Sequence, residues 1–465
     1  MQIQNQARVR MTDSNRSPRL DSRAIGHIEP QEVYHVEGGR FAALDVLRGF
    51  ALLGILLLNI ETFAGPELLW DVPIGYAKPA FIGWHAQLDQ VIVVAKWLFA
   101  EGKMRGLFAI LFGAGAVLLT DRIERRESRR KAATIFYRRN LWLLAFGLIH
   151  GFALWSGDIL VDYSILGLIF LYPLRRLSAR TLLAVGLVVW IVGGGVGLYR
   201  AFDVATAIRS EIAIVGEPSK QTSLVPTAAA FAVQQSASST TAKAIHAGRR
   251  SYLDGWRNRV ASEVRFLRLK FLSGWVLEWL GAMITGMGLY RSGYLTNRRP
   301  SKEYVITAAV GYLVSWPIVT GGLWLTWRSG LSVQAQLTWM LAPYTLAVTA
   351  GTLANTSILL LIVRGRRMEG VTRRLAAVGR TAFSNYVFTT IICKLLFSWS
   401  QLKLYGQLEY YQVTILTVLI WFINIAFSVL WLRFFRHGPL EWAWRSLTYW
   451  RPQPFWIAAR RTPAP

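Results

Sequence analysis

Apolar residues in this chain come in long unbroken runs, not in the alternation of a strand or the narrow stripe of a soluble helix. The first run covers 41–63 and begins abruptly after Arg40. Others lie at 104–120, 140–155, 159–174, 182–199, 271–290, 304–327, 337–363, 381–400 and 413–435. A helix needs about 20 such residues to cross the hydrocarbon core, so the pattern predicts about ten transmembrane helices. The expected fold class is therefore all-α, a polytopic integral membrane helical bundle. The stretch 88–100 is apolar but too short to cross alone. It either lies at the interface or extends the second helix as a kinked piece.

The polar segments between the runs give a topology. Residues 1–39 mix five Arg with five acidic residues and contain no apolar run, so they read as a mobile tail without a cleavable signal peptide. The segment 121–139 holds eight Lys/Arg, 364–380 six, 291–302 four and 175–180 three. The alternate segments are nearly bare: 64–85 has only Lys78, and 156–158 has none. Positive charge collects on the cytoplasmic side, so the alternation predicts both termini there. The expected organisation is a tail at 1–39, a first membrane half at 40–200, a long extracytoplasmic loop at 201–270, a second half at 271–436 and a cytoplasmic tail at 437–465. Within the loop, 226–247 is rich in Ala, Ser, Thr and Gln and reads as flexible. Tyr252, Trp256, Val260, Val264 and Leu267 then recur at helical spacing among arginines, the pattern of an amphipathic interfacial helix.

Composition changes this picture little. Hydrophobic residues make up 53%, charged residues 17%, and there are 20 Trp, 17 Tyr and 23 Phe, which suits many membrane–water interfaces. The net charge of +26 would suggest nucleic acid on a soluble protein. Its concentration in alternate loops removes that reading and leaves the lipid bilayer as the partner. The single Cys393 excludes an intrachain disulfide and a cysteine-based zinc site. No metal site and no bound cofactor are expected.

An ionisable residue in a bilayer core is costly and is a functional candidate by default. Asp45 and Arg48 share one face at the start of the first helix, as a local salt bridge or a site, and Asn59 lies further up the same helix. Glu101, Lys103 and Arg105 form a patch at the outer end of the second crossing, as snorkelling anchors or ligand-binding groups. Gly113 and Gly115 follow, at a spacing that favours tight helix packing. The most informative stretch runs from His150 through the Ser156-Gly157 turn to Asp158, with Asp162 one turn later on the same face. Asp158 can simply cap its helix. Together, His150 and the carboxylates can form a base and its orienter. His85 in an outer loop, Glu278 inside the sixth helix and Arg445 in a short interfacial helix after the last crossing complete the set.

The blocks Arg40-Phe41-Ala42-Ala43-Leu44-Asp45-Val46-Leu47-Arg48-Gly49, Lys103-Met104-Arg105-Gly106-Leu107-Phe108, His150-Gly151 with Gly157-Asp158-Ile159-Leu160, Gly379-Arg380-Thr381-Ala382-Phe383-Ser384-Asn385-Tyr386, and Gly438-Pro439-Leu440-Glu441-Trp442 resemble, in this order, the YeiB-like family. These are bacterial inner-membrane proteins built on a domain of unknown function. The opening block is similar to that of membrane acyltransferases that move an acetyl group from cytoplasmic acetyl-CoA to a sugar across the bilayer. That wider resemblance implies acyl-CoA as a co-substrate, a periplasmic glycan, lipid or peptide acceptor, and a role for His85, which falls in the loop where the sugar N-acetyltransferase of that group has a histidine.

Three functions follow as expectations. The first is an acyltransferase in the bacterial cytoplasmic membrane, with His150 as base, Asp158 as orienter, Arg48 and Arg105 as cationic groups and Asn59 as a polar positioner. The second is a small-solute transporter whose path is lined by Asp45, Asp158, Asp162 and Glu278. The third is a non-catalytic assembly protein in which the same residues only hold helices together.

Overall fold

The computed structural model describes residues 35–36, 40–66, 83–214, 274–329 and 333–457, with single positions between 243 and 271. Most of the expected tail 1–39, most of 226–247 and the positions Lys78, Tyr252 and Trp256 lie outside the described residues. The chain divides into two units, Met1–Arg40 and Phe41–Pro465. All that follows concerns the second.

Apart from a two-residue strand at Arg40–Phe41, its regular structure is helical: α1 (Ala42–Ala64), α2 (Ala86–Phe99), α3 (Lys103–Arg126), α4 (Arg129–Ile149), α5 (Leu160–Leu166), α6 (Ala179–Ile214), α7 (Trp275–Arg291), α8 (Ser301–Arg328), α9 (Tyr344–Gly365), α10 (Glu369–Arg380), α11 (Ala382–Lys394), α12 (Tyr410–Phe434) and α13 (Pro439–Tyr449). Every apolar run of the sequence falls on a helix. Among the described residues, six helical spans are long and apolar enough to cross a membrane: Ala42–Ala64, Ala86–Arg126 (α2 and α3 together), Ala179–Tyr199, Ser301–Arg328, Tyr344–Gly365 and Tyr410–Phe434. The remaining runs are interrupted or short. The first turns of α4 carry Arg129, Arg130 and Lys131, α7 has 17 residues, and α11 has 13 before it widens.

The 88–100 stretch joins α3 through a bend. Gly102 adopts φ 68° between α2 and α3, a left-handed conformation that glycine takes at no steric cost. The 364–380 segment, expected as a loop, contains the helix α10. Its small residues let it press against the start of α1: a Cβ at Gly49 would run into the Leu375 carbonyl, and one at Gly379 into the Asp45 carbonyl. The same device joins α3 to α7, where Gly113 faces the Met283 carbonyl and Gly286 the Ile110 carbonyl. In lipid, helices gain nothing by hiding apolar surface from one another, so close backbone approach through small residues is a main source of their affinity.

The helices of the two expected membrane halves are interleaved. α7 packs chiefly on α6 and α3, and α10 on α1. The central core gathers Leu107, Ile110, Tyr163, Trp190 and Met283. A second cluster, with the free Cys393, joins Phe63, Trp155, Phe397 and Ile420. Outward, α6 exposes Val188 and Ile191, α8 exposes Leu313 and Trp324, and α12 exposes Leu419 and Phe422. Apolar surface on this scale is not that of a soluble monomer and is compatible with a lipid bilayer.

Candidate functional site

α4 does not end at Ile149. It widens into a π-helical turn, His150–Leu154, before Trp155 turns the chain. Such a turn inserts one extra residue and redirects the side chains on it. Here it turns His150 inward, where the residue is only 2% exposed. Asp158 then opens α5 and is fully buried.

The two carboxylate oxygens of Asp158 divide their work. Oδ2 accepts from the backbone N–H groups of Leu160 at 2.8 Å and Val161 at 3.1 Å, which caps α5. Oδ1 lies 2.9 Å from His150 Nδ1 and accepts from the Tyr386 hydroxyl at 3.2 Å. The His150–Asp158 contact is close, although it is not aligned as a hydrogen bond. On the other edge of the ring, His150 Nε2 is 3.1 Å from the Thr390 hydroxyl. Tyr386 also lies against the imidazole, with ring centroids 4.9 Å apart. Tyr386 and Thr390 are one turn apart on α11, so a single face of that helix completes the site.

Asp162, one turn along α5, is fully buried and its Oδ2 accepts from the Lys270 ammonium at 2.7 Å. The same ammonium donates to the Asp158 carbonyl oxygen at 2.5 Å. Glu263, seven residues before Lys270 in the sequence, is fully buried. It sits over Gly151, where a Cβ would stand 2.8 Å from Glu263 Oε1 and 3.6 Å from the Asp158 Cβ. The segment expected to float at the interface therefore sends an acid and a base into the protein.

The other sequence candidates lie elsewhere. Asp45 and Arg48 pair with each other at 2.9 Å, and neither is among the contacts of His150 or Asp158. His85 pairs with Asp89 at 2.7 Å, and Asp89 also accepts from the Tyr411 backbone N–H at 2.9 Å. Asn59 is half-buried on α1. Glu101, Arg105 and Tyr344 form a triangle: the Tyr344 hydroxyl donates to Glu101 at 3.1 Å and the Arg105 guanidinium donates to that hydroxyl at 3.0 Å. Lys103, expected as a snorkelling anchor or a ligand-binding group, is buried at 1% exposure and donates to the Trp97 carbonyl at 2.9 Å. The C-terminal end of α2 offers unpaired carbonyls and a negative dipole end, which hold an ammonium there. Glu278 accepts from the Thr345 hydroxyl at 2.7 Å, and Arg445 lies over the Tyr449 ring.

Sequence reasoning missed Tyr386, Thr390, Glu263 and Lys270 as parts of this site. It also missed the buried pair Glu61–Lys96, in which the ammonium donates to both carboxylate oxygens at 2.8 Å. Glu441 proves to be a clamp. It accepts from the backbone N–H groups of Phe383 at 2.6 Å and Ser384 at 3.1 Å, and from the Ser384 hydroxyl at 2.5 Å. The N-terminus of α11 is thereby held by a side chain of α13. Among the described residues, no group of three or more His, Cys, Asp or Glu side chains is arranged to hold a metal ion.

A helical chain whose described residues include six apolar spans of crossing length, with a buried charged network beside them, has the make-up of a polytopic membrane protein. Residues 289–451 match the family described as "Protein of unknown function (DUF418)". The chain is 29% identical to "Uncharacterized protein YeiB" of Escherichia coli (strain K12) over 417 residues, 88% of this chain and 96% of that one. It is 29% identical to "Uncharacterized protein YxaH" of Bacillus subtilis (strain 168) over 426 residues, 89% of this chain and 96% of that one. To the "Uncharacterized 39.9 kDa protein in amylase 3'region" of Bacillus acidopullulyticus it is 24% identical over 435 residues, 89% and 95% of the two chains. These matches bear out the resemblance to the YeiB-like family. No solved structure matches.

Proposed function

We propose that this chain is an acyltransferase of the bacterial cytoplasmic membrane, with about ten crossings and both termini in the cytoplasm. It moves an acyl group from cytoplasmic acyl-CoA to an extracytoplasmic sugar, lipid or peptide. The observation that carries this reading is the run of contacts from the Thr390 hydroxyl through the His150 ring to Asp158. A hydroxyl, an imidazole and a buried carboxylate in that order are the parts of a general-base site for acyl transfer.

A carboxylate beside Nδ1 favours the tautomer with its proton there, which leaves the Nε2 lone pair facing the hydroxyl position. In the transfer step, an acceptor hydroxyl or amine that displaces the Thr390 hydroxyl from Nε2 gives its proton to that nitrogen as its oxygen or nitrogen bonds to the thioester carbonyl carbon. The carbon–sulfur bond then breaks, and the imidazolium returns the proton to the leaving thiolate. Tyr386 steadies Asp158 throughout, and the basic cytoplasmic segments suit the CoA phosphates. In the topology read from the loop charges, His150 lies in the outer half of its helix, on the side where the acceptor would be.

The test is acetyl-CoA binding and turnover by the purified full chain in detergent, comparing wild type with His150→Gln and Asp158→Asn. Saturable binding with turnover that both substitutions abolish is the expected result. A folded preparation that neither binds nor turns over acetyl-CoA would sink the reading. Solute permeation would then come first, favoured by the buried Asp162 Oδ1, which has no hydrogen-bond partner.

A further inference from the structure

Glu263 is the least satisfied charged group among the described residues of the core. It is fully buried, and neither of its carboxylate oxygens has a hydrogen-bond partner. A buried carboxylate left in that state is strongly disfavoured as an anion. The surroundings add to this. Asp158 and Asp162 act on it from the α4–α5 hairpin and α5, and Lys270 from seven residues along its own segment. The Lys270 ammonium is already engaged by the Asp162 carboxylate and the Asp158 carbonyl. His150 on its π-helical turn and Tyr386 on α11 both reach Asp158. Three carboxylates therefore stand against one ammonium and one imidazole, and the cluster is neutral only with added protons.

We propose that Glu263 is a proton-binding site, a buried carboxyl that takes up and releases one proton for the whole His150–Asp158–Asp162–Lys270 cluster. In the protonated form Glu263 carries an O–H and no charge. On release the proton goes to the aqueous phase, and the cluster gains one buried negative charge. This inference is independent of acyl transfer, since it concerns an equilibrium of the resting protein.

Burial pushes the Glu263 carboxyl from its ordinary 4.5 up to about 7, with Lys270 opposing and Asp158 and Asp162 adding to the rise. A folded-state value above the unfolded one means that the proton stabilises the fold. That stability is fully present below about 4.5 and is lost as pH rises through about 7.

The experiment is infrared difference spectroscopy of the full chain in lipid nanodiscs, without substrate, between about pH 5 and about pH 9. The expected result is a protonated-carboxyl C=O band that disappears with a midpoint near 7, is absent in Glu263→Gln and persists in Glu441→Gln. Glu263→Asp keeps a titrating carboxyl and should return the band at a shifted midpoint, which separates loss of the proton site from loss of the fold. A band that survives Glu263→Gln, or no such band at the acid end, would overturn the proposal. So would a band whose loss at fixed pH follows added Na+ and not choline, because the occupant would then be a metal cation.

Discussion

Two places in this protein bury opposite charges, and they are built differently. Between α1 and α2, Glu61 and Lys96 form a closed pair: one ammonium, one carboxylate, and both oxygens bonded at 2.8 Å. At the α4–α5 hairpin, one ammonium and one imidazole face three carboxylates, and Glu263 has no partner for either oxygen. The first arrangement needs nothing more and can hold two helices indefinitely. The second carries a surplus that only a proton or a ligand removes. A buried charge is therefore weak evidence of chemistry by itself. An unbalanced set of them, sharing a histidine, is much stronger evidence.

The largest expected effect separates the two places by activity. His150→Gln should lower acyl transfer by about 10²–10⁴-fold, the range for losing a general base. The doubly neutralised Glu61→Gln/Lys96→Met should leave the rate within a few fold. Equal losses in both, measured as turnover per folded molecule, would erase the distinction. The next contrast is in stability. Lys96→Met and Lys270→Met should each cost about 3–5 kcal/mol by leaving a carboxylate buried alone. Unfolding in detergent should show the first cost largely recovered by adding Glu61→Gln. Asp162→Asn should recover less of the second, because the Asp158 carbonyl also loses its donor. Removal of the clamp on α11 with Glu441→Ala should cost about 1–2 kcal/mol, the scale of a lost helix cap, and should lower activity through the placement of Tyr386 and Thr390. The smallest effect belongs to the pair at the start of α1. Arg48 is partly exposed there, so Arg48→Ala should cost no more than about 1 kcal/mol. A larger loss in the same unfolding assay would give that pair a role its geometry does not suggest.

Much of this contrast was legible in the sequence, but only its local half. His150 and Asp158 are joined by a short hairpin, so their meeting depends on one turn and on the helices either side of it. The apolar runs gave the helices themselves, because a run of that length has few other uses. Tyr386 and Thr390 stand 228 and 240 residues from their partners Asp158 and His150, and nothing in one sequence ties positions that far apart. Their i, i+4 spacing was visible, but polar residues spread over that helix (Ser384, Asn385, Thr389, Thr390) do not say which of them meets the histidine. Glu263 and Lys270 left a fainter sign. They lie seven residues apart in sequence, a spacing that helical periodicity would put on one face. Its apolar spacing among arginines suggested that the segment was an amphipathic helix at the interface, whereas Glu263 and Lys270 are buried at the site. Lys103 does not snorkel, for a related reason: its ammonium finds the carbonyls ending α2, and a bend at Gly102 brings them within reach.

The clamp of Glu441 on α11 has a consequence for how the molecule is made. A ribosome delivers Phe383 and Ser384 well before Glu441. Until α13 emerges, the backbone donors at the head of α11 lack the acceptor that the finished protein gives them. The helix bearing Tyr386 and Thr390 is thus fastened at its leading end only after α13 has been made. A chain made only as far as α12 can hold its earlier helices and still lack the clamp that seats the Tyr386–Thr390 face.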